Sequence, residues 1–169
     1  MSRKIVHRSP HREVGVINAG WLLDHPVHHE SHLERRFVMT ALACPVVENI
    51  THQPITIQLT GEPIQKYTPD YQLYYQGGGS CFIEVKPHIF VQKHKEKLEK
   101  AKKVFAEMGE KFMVVTDRQI DKNDLGSRSI LLMRYARMSF DAIEATACFD
   151  VIEAMNKKDV RVRDLIFHG

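Results

Sequence analysis

In YTPDYQLYYQGGGSCFIEVKP, residues 67–87, two runs rich in aromatic and apolar residues flank three consecutive glycines. Tyr67 to Tyr75 reads as one strand, entered through Pro69, a residue tolerated at a strand start or edge. Gly77 to Gly79 forms a hairpin turn. Cys81 to Lys86 is the returning strand, and Pro87 ends it. Successive side chains on a strand point to opposite faces, so Glu84 and Lys86 share one face. Pairing about Gly78 sets Asp70 across from Lys86, to within a residue or two. Two carboxylates and an ammonium then meet at one edge of a sheet.

The flanking segments supply the rest of an α/β pattern. Ser31 to Leu42 has apolar residues at helical spacing, and Ser31 with Glu34 forms a capping box at its start. Val46–Val47 and the ITIQL run at 55–59 read as strands. His88 to Met108 contains a Lys/Glu-rich amphipathic helix closed by Gly109. The apolar run KFMVVT, 111–116, predicts a short, buried, central strand. An α-β-β-β-α-β order implies an α/β core in which helices flank a mixed sheet. Residues 1–28 read as an extended basic, histidine-rich arm and 29–120 as the core. Residues 121–169 read as a small helical C-terminal extension, with helices near 129–137 and 140–155 and a short element at 160–167.

Composition narrows the class of protein. The chain has 169 residues, 27% of them charged, with a formal net charge of +3, which permits nucleic-acid binding without demanding it. No apolar run approaches the roughly 18 residues of a membrane span. The basic N-terminus is not followed by the apolar stretch of a signal peptide. Cys44, Cys81 and Cys148 are far apart, which predicts buried thiols in a cytoplasmic protein.

The cluster Asp70, Glu84 and Lys86 suits phosphodiester hydrolysis. Paired carboxylates hold one or two hard divalent ions, Mg²⁺ being the usual choice, and such an ion activates water and polarises the phosphoryl group. A lysine can orient the water or offset charge growing on the phosphate. Taken alone, Glu84 and Lys86 fit equally well as a weak ion pair on a solvated sheet face. Pro69-Asp70 at the right distance favours the catalytic reading. Glu34 offers a third carboxylate, or serves only the capping box.

SHLE at 31–34, QP at 53–54, YTPDY at 67–71, FIEVKP at 82–87 and FMVVTD at 112–117 together resemble the N-terminal nuclease domain of TnsA-type transposon endonucleases, over roughly residues 27–120. The resemblance implies a restriction-endonuclease-like core of the PD-(D/E)xK superfamily. It also implies DNA cleavage at transposon 5′ ends beside a transposase that cuts the 3′ ends, with Mg²⁺ as cofactor and Mn²⁺ as substitute. By motif, the catalytic residues are Glu34, Asp70, Glu84 and Lys86, the metal ligands Asp70, Glu84 and Glu34, and Gln53 a supporting residue. The best-known member has Gln where this chain has Glu84. Full-length relatives carry a larger C-terminal domain that contacts an AAA+ regulator and DNA, whereas about fifty residues follow the core here.

Further signals carry two readings each. Lys93, Lys97 and Lys100 lie on a helix face that is either solvated and paired with Glu96 and Glu99 or set against DNA phosphates. Arg8 and Arg12 make the arm basic enough to follow a DNA backbone. His28 and His32 have zinc-compatible spacing, but exposed or phosphate-contacting histidines are the expected state. Tyr67, Tyr71, Tyr74 and Tyr75 are expected to pack around the sheet. Alternatives to a transposon nuclease are a phage or stand-alone nuclease of the same fold, and a non-catalytic DNA- or protein-binding scaffold.

Overall fold

In the computed structural model, residues 14–61 and 63–136 are described. The chain divides into two compact units, Met1–Arg134 and Tyr135–Gly169. The expected helix at 140–155, the element at 160–167, Cys148, Arg8 and Arg12 lie outside the described residues.

The elements run β1 Gly15–Ile17, β2 Val27–His29, α1 His32–Leu42, β3 Val47–His52, β4 Ile57–Leu59, β5 Gln65–Tyr67, β6 Tyr71–Tyr75 and β7 Ser80–Val85. They continue through α2 His88–Val91, a 3₁₀ turn, α3 Lys95–Glu107, β8 Phe112–Val115, α4 Asp117–Ile120 and α5 Leu125–Tyr135. The main sheet has the order β3-β6-β7-β8, with β7–β8 parallel and the other pairs antiparallel. Two two-stranded sheets, β1–β2 and β4–β5, stand beside it.

Side-chain alternation along β7 divides the core in two. Cys81, Ile83 and Val85 join Phe37, Val38 and Ala41 of α1, together with Ile17, Leu23 and Val27. Phe82 faces the other way. It stacks on Phe105 of α3 with ring centroids 4.5 Å apart, and Phe105 stacks on Phe112 of β8 at 5.3 Å. Ile57, Leu59 and Tyr67 from the β4–β5 sheet complete that second cluster. Every residue from Cys81 to Val85 is buried, as expected of a strand covered on both faces.

Four expectations need correction. The strand expected over residues 67–75 is broken at 68–70, so β5 and β6 belong to different sheets. The register Tyr71↔Ile83 shifts the hairpin by two residues, so Asp70 lies beside Glu84 and Val85 rather than opposite Lys86. The reason is the tight turn at residues 76–78, closed by the Tyr75 N–H on Gly79 O at 3.2 Å, in which Gly77, Gly78 and the closing Gly79 all take positive φ. Thirdly, β8 is an edge strand rather than a central one. Among the described residues it pairs only with β7, and Met113 is 52% exposed. Its apolar character comes from Phe112 in the aromatic stack and Val115 against the α1 cluster. Finally, residues 15–29 are not an extended arm: β1 pairs with β2, and Ile17, Leu23 and Val27 enter the core. Among the described residues no helix is long and apolar enough to cross a membrane.

Candidate active site

Asp70 occupies the break between β5 and β6, one residue before the ladder begins. Its Oδ2 accepts the Val85 backbone N–H at 2.7 Å, which ties it to the end of β7. Beyond that end, the Lys86 N–H donates to Val115 O at 2.9 Å, extending the parallel ladder under the lysine. Asp117 caps the following turn by accepting the His88 N–H at 2.5 Å. The backbone that presents Glu84 and Lys86 is therefore held by β6, β8 and α4 together.

Glu84 and Lys86 share the face of β7 that carries Phe82. Lys86 Nζ lies 2.8 Å from Glu84 Oε1. The Tyr67 hydroxyl donates to Glu84 Oε2 at 2.7 Å. Burial, then the charge and hydrogen bond of Glu84, push the Tyr67 phenol far up, so it stays a proton donor. Burial likewise drives the Asp70 carboxyl well above the usual aspartate range; the Glu84 charge adds to this and the Glu34 charge adds less. The Val85 N–H and Lys86 pull the other way without prevailing. Asp70 is thus held where its own ionisation is opposed, the condition that a bound cation would relieve.

Glu34 comes from α1, on the opposite side of the sheet. The Ser31 hydroxyl accepts the Glu34 N–H at 3.1 Å and donates to Glu34 Oε1 at 2.8 Å. Glu34 Oε2 accepts the Glu30 N–H at 2.7 Å and is 3.4 Å from the Tyr71 hydroxyl. Both oxygens thus serve the helix start, while burial raises its proton affinity. Ser31→Ala should cost about 1 kcal/mol in urea unfolding, the usual loss of a cap; an unchanged midpoint would contradict the capping geometry.

Gln53, the residue after β3, sits at φ 44, a left-handed conformation costly for a residue with a side chain. There its N–H donates to Asp70 O at 2.8 Å and its side-chain amide donates to Glu30 at 3.3 Å. It thus links the Asp70 backbone to the segment preceding α1.

The lysines separate. Lys100 is paired with Glu96 at 2.7 Å, as expected of a solvated helix. Lys93 is exposed, and Lys97 Nζ stands 5.4 Å from the Tyr67 ring centroid, beside the site. The histidines are not simply exposed: His29 is buried, and His28 and His52 have ring centroids 6.0 Å apart. Among the described residues no three His, Cys, Asp or Glu side chains form a ready metal cage. Asp70 and Glu84 offer a two-carboxylate set, which suits a hard ion that keeps most of its own water. Sequence reading missed Tyr67, because nothing in its local pattern distinguishes it from the neighbouring core tyrosines.

A mixed sheet with helices on both faces, bearing Asp70, Glu84 and Lys86 at adjoining strand ends, defines a restriction-endonuclease-like α/β domain. Residues 44–117 match the family described as TnsA-like endonuclease N terminal. The matched segment is similar to that family, and it contains Gln53, Asp70, Glu84 and Lys86 but not Glu34. No curated protein matches the chain.

Proposed function

We propose that this protein is a divalent-metal-dependent endonuclease that hydrolyses double-stranded DNA at transposon 5′ ends beside a partner transposase and under an AAA+ regulator. The observation that carries the chemistry is the convergence of Asp70, Glu84 and Lys86 within the TnsA-like segment. Asp70 and Glu84 would hold Mg²⁺, or Mn²⁺ in its place. When bound, the ion supplies positive charge that polarises the phosphoryl group and lowers the pKa of the attacking water.

The remaining steps belong to the chain. The Val85 N–H fixes one oxygen of Asp70, and the other would remain for the ion. Lys86, paired with Glu84, can donate to a non-bridging phosphate oxygen, offsetting the charge that grows there during attack. Glu34 adds negative potential from behind, which favours a cation at Asp70. Lys97, beside Tyr67, and the exposed Lys93 would meet backbone phosphates, positioning the duplex without reading bases.

The test is cleavage of supercoiled plasmid bearing transposon ends, with Mg²⁺ or Mn²⁺, with and without the transposase. Lys86→Met should lower cutting by about a hundredfold or more, the scale for loss of one charge-stabilising donor. Cutting that needs no transposase would support a stand-alone nuclease. A full mixture that leaves the plasmid intact would refute the enzymatic reading.

A further inference from the structure

Tyr67 is the buried polar group to which hydrolysis itself assigns no task. It is 4% exposed and arrives from β5, outside the sheet that carries Glu84. Its ring meets Phe112 edge-on at 6.0 Å, and the Lys97 ammonium stands 5.4 Å from the ring centroid. The two oxygens of Glu84 are divided between unlike partners. Oε2 accepts from the neutral Tyr67 hydroxyl at 2.7 Å, and Oε1 meets the Lys86 ammonium at 2.8 Å. The tyrosine is wedged in the core and stays, whereas the lysine is a flexible cation that another cation can replace.

We propose that Tyr67 is a positioning residue that pins Oε2 of Glu84, so that Oε1 is the oxygen offered to the divalent ion and Lys86 is the group that gives it up. This rests on the metal-dependent reading above. A carboxylate held at one oxygen by a charge-assisted hydrogen bond loses most of its rotational freedom. Outer partners of ligating groups act in this way, orienting the ligand before the ion arrives. Lys86, once displaced from Oε1, would be free to donate to the phosphate.

If Tyr67 merely fills space, removing its hydroxyl should cost stability alone, and loosening its ring should have the same consequence. Tyr67→Phe keeps the ring and removes the hydroxyl, while Phe112→Leu loosens the ring and keeps the hydroxyl. Binding of Mn²⁺ to the free full chain is followed by electron paramagnetic resonance without DNA, and cleavage is then measured against Mg²⁺ concentration. Tyr67→Phe should weaken Mn²⁺ binding by about tenfold, the usual effect of losing an outer partner. Its half-saturating Mg²⁺ should rise by a similar factor, with the rate recovering at saturation. Phe112→Leu should melt earlier and bind Mn²⁺ as wild type does. Equal Mn²⁺ affinity in wild type and Tyr67→Phe, or an equal loss in Phe112→Leu, would overturn the role of Tyr67 and leave the nuclease reading intact. A wild-type protein that neither binds Mn²⁺ nor cuts DNA would overturn both.

Discussion

Asp70→Asn is expected to abolish DNA cleavage while making the metal-free protein more stable near neutral pH. The amide can still accept the Val85 N–H, so the strand end keeps its anchor. What disappears is a charge opposed by burial and by Glu84 and Glu34. Cleavage should fall about a thousandfold or more, as for loss of a central electrostatic group. Stability should rise by about 1 kcal/mol, a common gain when a functional site is relieved of strain.

The sign with pH follows from linkage. In the folded protein Asp70 binds its proton more tightly than in the unfolded chain, so its ionisation drains stability as pH rises. The loss begins in the ordinary aspartate range and is complete above the raised folded value. Glu34 acts in the same direction and is common to both proteins. His52 acts oppositely. Burial, with the charges of His28 and His29, pushes it down to about 4, so its contribution is lost as pH falls from the ordinary histidine range to that value. The difference between variant and wild type isolates Asp70. Urea unfolding in chelator should show this difference growing with pH and then levelling. A variant no more stable than wild type at neutral pH would show that Asp70 ionises without cost.

Phe105→Ala should be among the most damaging core changes, at about 3–5 kcal/mol. Phe105 is fully buried and stacked on both Phe82 and Phe112, so its ring joins α3 to β7 and β8. Removing it leaves a cavity beneath the strand that carries Glu84 two residues beyond Phe82. The unfolding midpoint measures the cost; a loss below about 1 kcal/mol would mean that neighbouring side chains collapse into the space.

The sequence alone conveyed the local parts of this arrangement better than the distant ones. Helix α1 and its Ser31–Glu34 cap were legible because helical spacing and capping are short-range signals. Glu84 and Lys86 sharing a face follows from strand alternation alone. The break between Tyr67 and Tyr71 was not legible: Pro69 is compatible with a continuous strand entrance, and tertiary packing chose to split it. An apolar run such as residues 112–115 reports burial of side chains, not the number of strands beside it, so β8 was misplaced. The bond from Tyr67 to Glu84 spans two sheets, and no periodicity encodes such a pairing.

The two core clusters lie on opposite faces of one sheet, and the acidic residues come from both. Glu34 belongs to the α1 layer, Glu84 and Lys86 to the α3 layer, and Asp70 to the strand break between them. A chain in which either layer has yet to dock lacks the full set of carboxylates around Asp70. Under the proposed function, the capacity to cut DNA would then arise only at the last step of tertiary assembly during synthesis or refolding. Fold completion itself would act as the safety catch.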